Sequence, residues 1–196
     1  AQTHAEPLPP AMLSLASVAL GFSSPQQFLE ETHHAVGAGL CDPNVKQISG
    51  YFKLTEKPER NYFFWFFESR SDPANDPVTL WMTGGPGCSS EVALFGENGP
   101  CAVNDAGDNT TLNPYSWNAK SNLLYIDQPS GTGFSYPLSG TDAGEAGVAR
   151  DMYDFLQQFF KAHTQYAKLP FFAFGESYAG HCSRCDSNPG LSACLL

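Results

Sequence analysis

Short apolar runs separated by turn residues dominate the middle of the chain and predict a sheet built from short strands. Residues Ile48 to Leu54 and Asn61 to Phe67 are rich in Ile, Tyr and Phe, and the polar segment 57–60 between them predicts a hairpin connection. Three shorter runs are typical of buried strands. They are Val78 to Met82, Leu123 to Ile126 and Phe171 to Phe174.

A helix is predicted between the last two of these runs, because apolar residues recur there at helical spacing. Thr141 is the predicted N-cap. A weaker helical pattern begins at Ser24-Pro25 and continues to Val36. The predicted antiparallel hairpin comes first and a strand–helix–strand unit follows it. This order favours an α/β sheet with a mixed edge. The apolar face of the stronger helix consists of Val148, Met152, Phe155, Leu156 and Phe159.

Composition narrows the class of protein. The chain has 196 residues, of which 42% are hydrophobic and 15% charged, so it is too apolar for a disordered segment. The formal net charge of −10 argues against a nucleic-acid partner, because phosphate binding needs clustered Lys and Arg. No apolar run reaches the roughly 18 residues of a membrane span. The oligomeric state stays open.

Cysteine usage suits a secreted or lumenal enzyme. Six Cys are present, and Asn109-Thr110-Thr111 is an acceptor for N-glycosylation. Cys182 and Cys185 with Cys194 supply only three thiolates and no second paired motif, so no metal is expected, and no cofactor either. Residues 1–40 are rich in Pro, Ala and Ser and are interpreted as an N-terminal extension or pro-segment.

The sharpest chemical signal follows the run that ends at Phe174. Residues 175–180 read Gly-Glu-Ser-Tyr-Ala-Gly, close to the G-x-S-x-G turn that presents a nucleophilic serine between a strand and a helix. Ala179 stands where the second glycine belongs, and Gly180 follows it. The pattern favours Ser177 as a nucleophile, with an ordinary turn serine as the alternative.

A second signal follows the run that ends at Met82. Residues 83–90 read Thr-Gly-Gly-Pro-Gly-Cys-Ser-Ser, and the two glycines let backbone N–H groups approach a bound group. Such donors can form an oxyanion hole, although a plain strand-to-helix turn is the alternative. The pair Ser89-Ser90 is predicted to cap a helix through Val92 and Phe95. No Lys follows the glycines, so a phosphate loop is not indicated.

Together these segments resemble the serine carboxypeptidases, a branch of the α/β-hydrolases, over roughly residues 41–181. The resemblance implies an α/β-hydrolase-type sheet flanked by helices, of which this chain holds the N-terminal part. The matching text is Ser49–Tyr51 (SGY), Phe64–Ser69 (FWFFES), Leu80–Ser90 (LWMTGGPGCSS), Glu97–Pro100 (ENGP), Asn113–Asn118 (NPYSWN), Asp127–Tyr136 (DQPSGTGFSY) and Gly175–His181 (GESYAGH).

The resemblance implies that Ser177 is acylated and that the N–H groups of Gly85 and Tyr178 form the oxyanion hole. It also implies a site for the free C-terminal carboxylate of a peptide. Two facing carboxyl groups there would retain protons at acid pH and then donate to an anion. The implied enzyme releases C-terminal residues from peptides or proteins at acid pH, in a lysosome or vacuole or outside the cell. The implied carboxylate-binding residues are Trp81, Thr83, Gly84, Glu97 and Glu176.

Two departures qualify this expectation. Position 83 is most often Asn in the family, so Thr83 should change carboxylate recognition in detail. The family order Ser, Asp, His cannot be completed after Ser177, because no His follows Asp186. The chain alone is therefore expected to be inactive. The alternative is a non-catalytic truncated product or a peptide-binding pseudoenzyme.

The segment 182–196 leaves the family pattern after His181. One codon choice for 182–186, read one nucleotide later, encodes Ala-Pro-Ala-Val, which resembles the family continuation and favours a frameshift. The predicted organisation is thus an extension over 1–40, a partial hydrolase domain over 41–181 and an aberrant tail over 182–196. Cys41, Cys88 and Cys101 are expected to have had bridge partners partly in the missing half.

Overall fold

The structure, a computed structural model, describes residues 32–35, 40–55, 60–137 and 144–182. Its strands are short, as the spacing of turn residues predicts. The strands are β1 (Thr32–Ala35), β2 (Gln47–Lys53), β3 (Arg60–Phe67), β4 (Val78–Met82), β5 (Cys101–Val103), β6 (Thr110–Leu112), β7 (Asn122–Ile126), β8 (Tyr136–Pro137) and β9 (Phe171–Gly175). The helices are α1 (Glu91–Gly96), α2 (Glu145–Ala162) and α3 (Ala179–Cys182), with a 3-10 turn at Trp117–Ala119.

Seven of these strands form one mixed sheet in the order β1-β2-β3-β7-β4-β9, with β8 paired to β3. In this spatial order, β1, β2, β3 and β7 pair antiparallel with their neighbours. Strand β4 pairs in parallel with both β7 and β9. Trp81 lies opposite Tyr125, and Met82 lies opposite Gly175. The carboxyl ends of the three parallel strands therefore meet at one edge, where ligands bind in open α/β sheets.

Both faces of the sheet are covered, which explains why its central strands are almost continuously apolar. The apolar face of α2 packs on one face of the sheet, where the ring of Phe155 lies 5.1 Å from that of Phe52. On the other face Leu94 of α1 packs among Phe67 and Tyr125. Each fully buried aromatic ring contributes on the order of 2 kcal/mol by leaving water. None of the described helices is long and apolar enough to cross a membrane.

The predicted strands and the predicted main helix are confirmed, with small shifts at their ends. Helix α2 begins at Glu145 with Gly144 at its N-cap; the predicted cap Thr141 lies outside the described residues. So do residues 57–59 of the predicted hairpin connection and Ser24-Pro25. The weaker helix is wrong where it can be tested, because residues 32–35 form β1 and pair with β2. Pairing with an existing strand has overridden local preference there.

A disulfide joins Cys41 to Cys101 and so ties the segment before β2 to the start of β5. Two of the three cysteines expected to have partners partly in the missing half are therefore bonded to each other. Cys88 is free and exposed. Asn109, the predicted glycosylation position, is exposed between β5 and β6.

Candidate active site

Ser177 lies in a tight turn between β9 and α3. Its φ of +54° falls in the left-handed region that residues other than glycine rarely adopt. A Cβ on Gly175 would lie 2.4 Å from the Ala179 oxygen, so only glycine permits a turn this tight. The Glu176 N–H donates to the Met82 oxygen at 3.0 Å, which holds the turn to the end of β4. This is the strand–turn–helix context that a nucleophile elbow requires.

The glycine-rich turn 83–90 packs directly against this elbow. A Cβ on Gly84 would lie 2.6 Å from the Glu176 oxygen, 2.7 Å from the Tyr178 nitrogen and 3.0 Å from the Ser177 Cβ. Gly85 follows with a φ of +113°, and a Cβ there would lie 2.8 Å from the Cys88 nitrogen. The structure thus brings Gly84 and Tyr178 into contact beside Ser177.

Two exposed carboxyl groups, those of Glu97 and Glu176, flank the elbow. Glu97 follows α1, and Glu176 immediately precedes Ser177. Burial, followed by the negative charge of Glu176, raises the pKa of Glu97 above its ordinary value. Glu97 therefore lies within range of the charge of Glu176.

Aromatic rings line the neighbouring end of the sheet. The ring of Trp117 lies 5.3 Å from that of Trp81 and 5.2 Å from that of Phe174, with near-perpendicular planes. Trp117 was not predicted as a site residue, although it lies in the quoted segment 113–118. Among the described residues, Trp81 Nε1 and Thr83 Oγ1 are buried without a hydrogen-bond partner. The hydroxyl of Thr83 thus lies beneath the surface.

A cavity of about 200 Å³ separates the glycine-rich turn from the start of α2. Pro86, Pro129, Val148 and the ring of Tyr178 are among its lining residues. The Tyr178 hydroxyl donates to Glu145 Oε1 at 3.0 Å, which joins the elbow to the first turn of α2. No part of the sequence indicated this contact, because the two residues are far apart in the chain.

Asp127 anchors the glycine-rich turn through hydrogen bonds. It follows β7 and has no solvent exposure. Its Oδ1 accepts hydrogen bonds from Ser89 Oγ at 2.6 Å and from the Ser90 N–H at 3.0 Å. Its Oδ2 accepts from the Phe134 N–H at 2.8 Å. We call these three hydrogen bonds the Asp127 clamp. Asp127 was quoted in a family motif, yet no role was predicted for it.

The start of α1 differs from its prediction. Ser90 occupies the N-cap position but makes no side-chain cap; its hydroxyl donates instead to the Ile126 oxygen at 2.6 Å. Ser89 Oγ accepts from the Glu91 N–H at 3.2 Å. Val92 in this helix is 57% exposed, whereas Glu91 is buried at 7% exposure. A helix of six residues is too short for its apolar spacing to identify the buried face.

Glu91 is the most perturbed carboxyl group at this edge of the sheet. Both of its carboxyl oxygens are buried and have no hydrogen-bond partner among the described residues. Burial, followed by the charge of Asp127, raises the pKa of Glu91 to about 8. Tyr125, which feels the charge of Glu91, also has a raised pKa, chiefly through its own burial. Glu91 is therefore a neutral acid at acid and neutral pH.

Comparison with known proteins agrees with this geometry. The family model for serine carboxypeptidases matches residues 39–183. Serine carboxypeptidase-like 48 of Arabidopsis thaliana is 53% identical over 144 residues, which are 71% of this chain and 28% of that protein. Carboxypeptidase Y homolog A of Uncinocarpus reesii is 50% identical over 141 residues, 71% of this chain and 25% of that protein.

A crystal structure of Kex1, a prohormone-processing carboxypeptidase from Saccharomyces cerevisiae, superimposes with a TM-score of 0.64 at 33% identity. The match covers 73% of this chain and 34% of that one. The chain thus spans about a quarter to a third of the length of these relatives. It belongs to the serine carboxypeptidase family, and the predicted α/β-hydrolase-type sheet flanked by helices is confirmed.

Proposed function

We propose that this chain carries the nucleophile and the carboxylate-binding part of a serine carboxypeptidase that releases C-terminal residues from peptides. One observation carries the proposal: the strained Ser177 turn is in direct contact with Gly84 of the glycine-rich turn. Such a contact places backbone donors beside a nucleophile, which is what acyl transfer needs.

In the proposed reaction Ser177 Oγ attacks the carbonyl carbon of the last peptide bond. The N–H groups of Gly85 and Tyr178 donate to the oxyanion that forms. The C–N bond then breaks, the amine takes a proton, and the C-terminal amino acid leaves. Water hydrolyses the ester on Ser177 and returns the proton to its hydroxyl.

Glu97 and Glu176 bind the free carboxylate of the substrate in this proposal, with Trp81, Thr83 and Gly84 beside them. The raised pKa of Glu97 supports the assignment, since a protonated carboxyl can donate a hydrogen bond to an anion. Once both groups are ionised they repel it. Activity is therefore expected to be highest at acid pH.

The proposed reaction also needs a histidine base oriented by an aspartate. Among the described residues no hydrogen bond joins Ser177 Oγ to either type of residue, and His181 is exposed with its ring 5.1 Å from that of Tyr178. We assign the base to sequence outside the described residues. The 196-residue chain alone is expected to be inactive.

Acylation and peptide binding test the proposal separately. A fluorophosphonate probe should label Ser177 in protein that contains the base, and Ser177→Ala should abolish the labelling. A peptide with a free C-terminal carboxylate should bind more tightly than the same peptide with a C-terminal amide. Equal binding of the two peptides would refute the assignment of Glu97 and Glu176.

A peptide-binding protein without turnover is the second candidate, favoured by a site whose carboxyl pair is present while no base contacts Ser177 in the described chain. The same two assays separate the candidates. Preference for the free-acid peptide without labelling of Ser177 supports the second candidate, whereas both signals together support the enzyme.

Two features of one hairpin support a lysosomal, vacuolar or secreted location. The disulfide Cys41–Cys101 anchors the start of β5, and disulfides persist in oxidising compartments. The acceptor Asn109 is exposed in the loop that follows β5. Removal of N-glycans should increase the electrophoretic mobility of the protein from its native source, and Asn109→Gln should show the faster mobility without treatment.

A further inference from the structure

The glycine-rich turn depends on a buried anion for its position. Of the three hydrogen bonds in the Asp127 clamp, two come from Ser89 and Ser90, the last residues of the turn. The third comes from Phe134, in the loop that follows β7. Asp127 therefore anchors the turn through hydrogen bonds that its two carboxylate oxygens accept.

Glu91 lies next to this anion but takes no part in the clamp. It directly follows Ser90, its side chain is 7% exposed, and its carboxyl oxygens have no partner among the described residues. Within the described parts of the chain, the titratable groups that interact with it are Asp127 and Tyr125, both at the end of β7. No Lys or Arg forms an ion pair with Glu91 in the described part of the chain. A neutral Glu91 is compatible with the clamp, whereas a charged one opposes it.

We propose that Glu91 is a positioning residue, whose neutral carboxyl keeps the turn 83–90 fastened to Asp127 and whose ionisation releases that turn. The catalytic meaning of the release rests on the proposed function, since Gly85 in this turn is the assigned oxyanion donor. The coupling between Glu91 and the clamp does not rest on it.

The chain connectivity explains why ionisation acts on the turn. An ionised Glu91 would be a second negative charge beside Asp127, and none of the described residues offers it a hydrogen-bond donor. Moving the first turn of α1 toward water relieves this repulsion. Ser89 and Ser90 directly precede Glu91, so the same movement draws their hydroxyl and N–H groups away from Asp127.

Amide hydrogen exchange on the full chain tests this coupling without any substrate. Protection of the Ser90 amide, corrected for the intrinsic effect of pH, should be constant at acid pH. Between the ordinary pKa of Glu and about pH 8 it should fall about tenfold for each pH unit, and it should level off above that range. Glu91→Gln, which mimics the neutral acid, should keep the protection across the whole range. Asp105→Asn removes an exposed carboxylate and should behave like the wild type.

Direct titration of Glu91 keeps the proposal testable if Glu91→Gln fails to fold. Carbon-13 NMR of the wild-type carboxyl groups should show Glu91 ionising well above the ordinary range of Glu. Ionisation below about pH 5 would overturn the proposal. Identical pH profiles of Ser90 protection in wild type and Glu91→Gln would also overturn it. Neither readout requires labelling of Ser177 or peptide binding, so failure of the proposed function is seen separately.

Discussion

Two pairs of neighbouring carboxyl groups lie at the same edge of the sheet, one exposed and one buried. Glu97 and Glu176 face solvent beside Ser177, whereas Glu91 and Asp127 lie behind the glycine-rich turn. In each pair one carboxyl has its pKa raised by burial and then by its neighbour's charge. The raised pKa reaches about 8 only in the buried pair, where water does not screen the charges.

Hydrogen bonding separates the two members of the buried pair. Asp127 accepts three hydrogen bonds and Glu91 accepts none among the described residues. Burial with donors favours the anion, and burial without them favours the neutral acid. The exposed pair lies at the surface, where a ligand can reach both carboxyl groups. Solvent access therefore suits one pair for recognition and the other for holding the backbone.

The largest contrast between the pairs should be in stability. Asp127→Ala leaves the Ser89, Ser90 and Phe134 donors without their acceptor, and the Ser90 N–H is buried. This should lower the free energy of unfolding by about 3–5 kcal/mol. Glu176→Ala should leave it nearly unchanged because that side chain is exposed. Urea unfolding at constant pH measures both. A similar loss of stability in the two variants would contradict the structural difference between the buried and the exposed carboxyl pair.

The dependence of stability on pH should come mainly from the buried pair. The pKa of Glu91 is raised from 4.5 to about 8 on folding, so its contribution is complete below pH 4.5 and is lost as pH rises toward 8. The loss amounts to at most roughly 5 kcal/mol. Unfolding in urea at several pH values should show this fall in wild type and not in Glu91→Gln. An unchanged slope in the variant would place the titrating group elsewhere.

Asp42 provides a contrast of opposite sign. Burial would raise its pKa, but hydrogen bonds from Arg70 and Asn118 outweigh burial and lower it. Its contribution is present above the unfolded pKa and disappears as pH falls through the folded value. The decline attributed to Glu91 must therefore be measured above the pH range in which Asp42 titrates.

The sequence predicted the sheet and the two turns but not the buried pair. Apolar runs that end at Gly or polar residues located β4, β7 and β9, because strands buried on both faces carry few polar positions. The motif around Ser177 located the elbow, because a tight turn there demands glycine. Neither signal exists for Glu91, whose burial arises only when α1 packs against β7. Strand β1 was missed for the same reason, since its partner strand decides its structure.

The exposed pair should govern the pH dependence of peptide binding. Affinity for a free-acid peptide should be highest at acid pH and fall about tenfold as the pH rises and Glu97 ionises, because the pKa of Glu97 is raised. Calorimetry at several pH values measures the effect. Glu97→Gln should flatten the profile, while Glu91→Gln should retain it up to neutral pH. An affinity that rises from pH 5 to 8 would contradict the assignment of Glu97 and Glu176.

The smallest effect concerns Thr83, which stands where the family most often has Asn. Its Oγ1 is buried and has no hydrogen-bond partner among the described residues, so removing the hydroxyl breaks no hydrogen bond there. Thr83→Val should change peptide affinity very little. Thr83→Asn adds amide donors beside the carboxyl pair and should strengthen binding of a free-acid peptide about fivefold, the effect of one added hydrogen bond. Calorimetry at acid pH, with the C-terminal amide peptide as control, measures both variants. A strong loss in Thr83→Val would mean that the hydroxyl rotates to the ligand, and recognition would then extend from the exposed carboxyl pair to the end of β4.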